Sequence, residues 1–197
     1  MNVVIIKYNA GNIMSVEFAL RRIGIVPEIT DDINKIIMAD KVIFPGVGEA
    51  STTMLYLKNK GLDKVIKQLK QPVLGICLGL QLMCKYSEEG DTECLGIFEE
   101  TIKKFRNKPD TNYKIPQMGW NSIHNLKNHI FDKSLENQYV YFVHSYYAEI
   151  GANTIATTNY IINFSSALQK DNFFATQFHP EKSGRIGEQI LKNFIDL

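Results

Sequence analysis

The sequence has little that would staple or compartmentalise it. Its three cysteines, at 77, 84 and 94, are odd in number and irregularly spaced, which does not make a disulfide framework. A reducing compartment with free thiols follows. Charge of one sign is also missing: 22 basic against 21 acidic residues leave +1 at pH 7, so neither nucleic acid nor an anionic membrane is expected as a partner. No apolar run approaches the ~20 residues of a membrane span. The stretch Met1–Lys7 lacks the basic segment and longer apolar run of a secretory signal, and the cytoplasm is the expected location. There is no internal repeat, no low-complexity tract and no linker long enough to separate two domains.

What is present suits one domain over residues 1–197: 45% hydrophobic and 22% charged residues give a sizeable core and a well-solvated surface. In the first half, short Val/Ile-rich runs alternate with helix-period segments. Val3–Ile6, Lys41–Phe44 and Pro72–Ile76 read as strands buried on both faces. Between them lie helical stretches: one after the turn-like Asn9–Asn12, with Val16, Leu20 and Ile23 on one side, and one over Met54–Leu69 with a break at Gly61. Cys77–Met83 also has helical composition. This alternation indicates a mostly parallel central sheet flanked by helices, an α/β fold of flavodoxin-like kind. From Leu95 to Phe178 the strands are shorter and closer, with turns at 108–110 and 125–128, which favours antiparallel additions. An amphipathic helix follows Gly184, with Ile186, Ile190, Leu191 and Phe194 at helical spacing.

Within Gly75-Ile76-Cys77-Leu78-Gly79 a thiol stands where a buried strand turns into a helix. The flanking glycines permit a strained backbone and leave room beside the sulfur, as in the nucleophile elbow of α/β hydrolases. A helix N-terminus favours thiolate, and the Leu78 N–H would point where an oxyanion forms. Taken alone, the pentapeptide reads equally well as a small apolar residue at a strand end, since Cys is often buried. Cys84 and Cys94 have no such setting and read as structural. A thiol nucleophile needs a histidine to move its proton. Of His124, His129, His144 and His179, only His179 has a carboxylate two residues on, Glu181, across Pro180. That spacing lets the acid curl back to Nδ1 and fix the tautomer. The apolar strand Phe173–Phe178 would carry His179 to a sheet edge. His129 lies in a polar turn, His124 ends a short strand, and His144, among aromatics, reads as structural or site-lining.

Gly75–Gln81 followed by Gln177-Phe178-His179-Pro180-Glu181 resembles the class I glutamine amidotransferases. Tyr8–Asn12 with Ser15-Val16, Pro45–Gly48, Pro116–Asn121, Tyr141–Tyr147 and Glu181–Gly184 extend the likeness over nearly the whole chain, to the glutaminase subunits of imidazole glycerol phosphate synthases. The resemblance implies that Cys77 is the nucleophile, His179 the acid/base and Glu181 the orienting acid. Gln81, with the Ser145-Tyr146 backbone, would hold the α-amino-acid end of L-glutamine. Val47 would supply a second oxyanion N–H after a peptide flip. Asn12, Met118 and Trp120 would face a (β/α)8-barrel cyclase that takes up the ammonia, although a lone tryptophan is otherwise most often a core aromatic. No metal or organic cofactor is implied. Lys7 and Glu49-Ala50-Ser51 depart from the family pattern at positions that bear on the partner more than on the chemistry. Three other readings stand beside this one: a glutaminase serving another synthase such as a sugar-amidating one, a non-catalytic scaffold, and a free-standing γ-glutamyl hydrolase.

Overall fold

A computed structural model describes residues 1–8, 12–109 and 111–197; Asn9, Ala10, Gly11 and Asp110, on which parts of two expected turns fall, lie outside them. The first half alternates as expected: β1 (Val3–Ile6), α1 (Ile13–Arg22), β2 (Glu28–Thr30), α2 (Ile33–Ile37), β3 (Lys41–Phe44), α3 (Ala50–Lys60), α4 (Leu62–Gln68), β4 (Val73–Ile76) and α5 (Leu78–Met83). The second half is mainly β: β5 (Tyr86–Ser87), β6 (Thr92–Glu93), β7 (Thr101–Lys104), β8 (Gln117–Ser122), β9 (Tyr139–His144), β10 (Tyr146–Ala148), β11 (Thr154–Asn159), β12 (Asn163–Lys170) and β13 (Phe173–Thr176). The helix α6 (Gly184–Ile195) closes the chain.

Eleven of these strands form one sheet in the order β2-β1-β3-β4-β13-β12-β10-β7-β5-β6, with β11 against β12; β8 and β9 pair separately. From β2 to β13 every neighbour is parallel. From β13 through β12 and β10 to β7 the neighbours are antiparallel, and β5 then joins β7 in parallel.

Side chains alternate across a strand, and here both faces are covered. Val3, Ile5, Ile43 and Leu74 pack with Val16 and Leu20 of α1 and Ile190, Leu191 and Phe194 of α6. Val4, Ile6, Val42 and Val73 pack on the other face with Ile36, Met54, Leu57 and Ile66. That double burial is why these strands are continuous apolar runs rather than alternating ones.

Three details differ from the sequence reading. The helical segment set at Met54–Leu69 begins earlier, at Ala50, because the Glu49 side chain caps it through the Thr52 N–H at 3.0 Å; it breaks at Gly61 as expected. The strand β13 stops at Thr176 instead of Phe178. And β13 is an interior strand, so His179 leaves from the C-terminal end of the sheet rather than from its edge. The crossing-over is visible in the backbone: the Gln177 N–H still donates to Ser166 O on β12, whereas the His179 N–H donates to Tyr141 O on β9. Pro180, without an N–H, then ends regular pairing. The parallel strands β3, β4 and β13 thereby deliver Pro45–Gly48, Cys77 and His179 to one end of the sheet, where ligands bind in open α/β folds.

Candidate active site

The turn from β4 into α5 is strained at the thiol. Cys77 has φ 54 and ψ −104, a left-handed backbone that a non-glycine residue adopts at a cost of roughly 1–3 kcal/mol. Close packing holds it there. A Cβ on Gly79 would sit 2.0 Å from the Phe44 carbonyl oxygen, so only glycine lets α5 lie against the end of β3. The Cys77 N–H donates to Thr176 O at 2.7 Å, tying the elbow to β13.

His179 and Glu181 arrive from that same strand through a short 3-10 turn, Pro180–Lys182. His179 Nδ1 lies 2.7 Å from Glu181 Oε1, with both side chains buried. His179 Nε2 is buried with no hydrogen-bond partner among the described residues and is left for the Cys77 sulfur. Burial alone would lower the pKa of His179, but the negative sulfur of Cys77 and the Glu181 carboxylate outweigh it and raise the ring from 6.5 to about 10. The ring beside the Cys77 sulfur therefore favours its imidazolium form. The other two thiols differ. Burial pushes Cys84 far up and Cys94 to about 12, which leaves both as poor nucleophiles.

Beside Cys77 opens a cavity of about 310 Å³, lined among others by Val47, Gln81, Glu89, Ser145 and Tyr146. Gln81 is buried and spends both hydrogens of its amide nitrogen: one on Tyr146 O, one on Gln177 Oε1, each at 3.1 Å. Its Oε1 is then the free end, an acceptor. Glu89 is a lining residue that the sequence does not mark, because Ser87-Glu88-Glu89-Gly90 reads as a solvated loop. Its Oε2 accepts from the Ala50 N–H at 2.8 Å, and burial raises its pKa. No periodicity or motif spacing reveals it.

Of the two expected oxyanion donors, Val47 lies in the loop after β3 and Leu78 is the first residue of α5. The Leu78 N–H donates to Gly46 O at 3.3 Å. Gly46 O and the Val47 N–H belong to one peptide unit, so the carbonyl that occupies the Leu78 donor is fixed opposite in direction to the Val47 donor. The preceding carbonyl, Pro45 O, accepts from the buried Tyr8 hydroxyl, whose pKa burial raises. Past Val47, Gly48 has φ 135, a conformation open to glycine.

The expected partner-facing residues divide. Met118 and Trp120 on β8 are 66% and 55% exposed, so the only tryptophan is not a core aromatic. Asn12 instead turns its side chain inward, and its Nδ2 donates to Glu181 Oε1 at 2.5 Å. Of the remaining histidines, His124 and His129 lie away from the cavity, whereas His144 lines it.

His144 is buried against Phe105, Phe142 and Phe164, with ring centroids at 5.3, 5.6 and 5.2 Å. Its Nδ1 meets Tyr146 O at 2.6 Å, so Nδ1 carries the proton; Nε2 meets the Gln117 amide at 3.1 Å. Burial lowers its pKa from 6.5 to about 4. The unfolded chain therefore binds this proton more readily. Stability from this residue is full above pH 6.5, falls as pH drops from 6.5 to 4, and is constant below; the loss totals about 3 kcal/mol. In urea unfolding at pH 7.5 and 4.5, His144→Asn should lose less stability than the unsubstituted chain on acidification, by about 2 kcal/mol. An equal loss in both would mean that other groups carry the acid sensitivity.

The fold and this arrangement define a class. Residues 6–197 match the model of the family "Glutamine amidotransferase class-I", and the chain belongs to that family. Its full-length relatives include the imidazole glycerol phosphate synthase subunits HisH of Bacteroides fragilis strain YCH46, 58% identical over 100% of both chains, and of Haemophilus influenzae strain KW20, 46% identical over 100% of this chain and 98% of that one. At such identity over the whole length, the chain is a member of the HisH group. Among solved structures, a putative GMP synthase subunit of Thermoplasma acidophilum has the same fold, with TM-score 0.75 at 20% identity over 100% of this chain and 93% of that one. PurLQS of Thermotoga maritima gives TM-score 0.70 at 15% identity over 99% and 97%.

Proposed function

We propose that the chain is the glutaminase component of an imidazole glycerol phosphate synthase, working in the cytoplasm with a (β/α)8-barrel cyclase. The observation that carries the chemistry is the strained Cys77 elbow facing a buried His179–Glu181 pair. The Cys77 thiolate attacks the side-chain amide carbon of L-glutamine, and the C=O electrons move to oxygen. The N–H groups of Leu78 and, after the Gly46–Val47 peptide turns over, Val47 receive that oxyanion. His179 gives its Nε2 proton to the departing nitrogen, ammonia leaves, and a glutamyl thioester remains. Water then attacks the thioester; His179 takes its proton, glutamate departs and the thiolate returns. Glu181 holds the ring's Nδ1–H throughout.

The ends of the substrate sort by the free groups of the cavity. Gln81 Oε1 and the Glu89 carboxylate are acceptors and suit the α-ammonium, while the Ser145-Tyr146 backbone is assigned the α-carboxylate. Met118 and Trp120, two residues apart on β8 and both more than half exposed, suit anchors for the cyclase.

The test combines the chain with a cyclase partner and measures glutamate and cyclised product in parallel. The unsubstituted pair should make about one product per glutamine consumed. Trp120→Ala should weaken assembly by tenfold or more and lower that ratio while glutamate is still formed. A pair that yields no product from glutamine would overturn the assignment to this synthase. An unchanged ratio and affinity in Trp120→Ala would move the interface elsewhere.

A further inference from the structure

Gln177 lies wholly buried, two residues before His179. Its side chain touches two groups of the site: its Nε2 lies 3.7 Å from Cys77 Sγ, and its Oε1 is 3.1 Å from Gln81 Nε2. Which end of an amide faces which neighbour is set by the hydrogen bonds around it, and here a backbone carbonyl decides. Tyr146 O can only accept. It therefore demands the nitrogen end of Gln81, at 3.1 Å. The second hydrogen on that nitrogen then requires an acceptor, so Gln177 must present oxygen to Gln81 and its NH₂ to the sulfur. The same Tyr146 carbonyl also accepts from His144 Nδ1, which keeps it in place.

From this chain of donors we infer that Gln177 is a further catalytic residue, a hydrogen-bond donor to the Cys77 thiolate whose orientation is fixed from the substrate-holding Gln81. The inference rests on the proposed role of Cys77 as nucleophile. An N–H aimed at a thiolate stabilises it before attack, and again as the thioester carbon–sulfur bond breaks and the electron pair returns to sulfur. A charge-assisted bond of this kind is worth about 10–10²-fold in equilibrium or rate. The link to Gln81 has a second consequence. The group that holds the substrate's α-amino end and the group that holds the nucleophile are one hydrogen-bonded pair, so a substrate that misplaces Gln81 also disturbs the sulfur.

The ionisable groups around the sulfur are His179 with Glu181 on its far side, Glu89, His144 and Tyr146 in the cavity wall and, behind the Pro45–Gly48 loop, Tyr8; none is altered by substitutions at Gln177. In Gln177→Glu, a carboxylate would accept from Gln81 and face the sulfur with negative charge; Gln177→Met removes the donor without adding charge. The pH midpoint of Cys77 alkylation by iodoacetamide should move up by about one unit or more in Gln177→Glu and by less in Gln177→Met. Glutamine turnover in the complex with the cyclase should fall about 10–10²-fold at neutral pH in both, with ammonium-dependent product formation retained as the sign of an intact fold. A measurement on the unsubstituted chain needs no variant to fold: the Gln177 side-chain amide proton resonance should shift with pH at the alkylation midpoint, and should stop doing so in Cys77→Ser. An alkylation midpoint unchanged in both variants, or an amide resonance that ignores the titration, overturns the inference. Retention of glutamine hydrolysis in Cys77→Ala would instead overturn the proposed function beneath it, a separate and distinguishable outcome.

Discussion

Cys77→Ala is expected to lower glutamine hydrolysis by on the order of 10⁴–10⁶-fold, because the members of a coupled nucleophile–base unit fail together when the nucleophile is lost. The setting of the thiol makes the expectation specific. It is the one cysteine on a strained turn facing a histidine, while Cys84 and Cys94 are held by burial in their neutral form. Cys84→Ala and Cys94→Ala should accordingly stay within a few-fold of the unsubstituted rate. In complex with the cyclase, the same Cys77→Ala chain should still support product formation from ammonium salts at alkaline pH, since the thiol's task ends once neutral ammonia exists. Glutamate and product measured with each nitrogen donor separate the cases. Substantial glutamate from Cys77→Ala would remove Cys77 from the mechanism, and failure with ammonium as well would make it a structural support for the partner.

The parallel half of the sheet and the motif carrying Cys77, His179 and Glu181 are legible in the sequence because both are local. A strand covered on both faces must be apolar at nearly every position, as Val3–Ile6 and Val42–Phe44 are, and a His-x-Glu pair needs only two residues of reach. Short edge elements leave no such mark. The strand β2 is three residues long at the end of the sheet and half-exposed, and α2 is a five-residue helix announced only by its Asp32 cap. Neither carries enough periodicity to stand out.

The site beyond the motif depends on long-range placement. Glu89 reaches the cavity because the loop after β5 folds over Ala50, and Gln177 reaches the sulfur because β13 lies beside β4. Resemblance alone places Asn12 outward. Its position at the start of α1, against the turn that carries Glu181, points the amide inward instead. For Leu78, a motif fixes only the direction of the N–H. It holds no word of Gly46, whose carbonyl arrives from a different strand.

That carbonyl leads to the second large effect: the isolated chain should hydrolyse glutamine at least about 10²-fold more slowly than its complex with cyclase and acceptor nucleotide. One missing oxyanion donor is worth about 10²–10³ in kcat. Here the Leu78 N–H is engaged by Gly46 O, and the Val47 N–H, fixed on the far side of the same peptide, is turned away. A single rotation of the Gly46–Val47 peptide corrects both at once: it withdraws the carbonyl from Leu78 and swings the Val47 N–H towards the cavity. The resting loop is held by contacts on its near side, the Tyr8 hydroxyl on Pro45 O and the packing of Gly46 against Leu78, while Gly48 with φ 135 supplies a pivot on the far side. A partner that favours the turned peptide therefore raises turnover without touching the triad. Glutamate release should be followed for the chain alone, with cyclase, and with cyclase and acceptor together. Amide hydrogen exchange at Leu78 should quicken on assembly in the absence of glutamine, as its N–H loses the Gly46 carbonyl. Full turnover by the lone chain would mean that the hole is already open to substrate. A large activation with Leu78 exchange unchanged would place the switch outside this peptide.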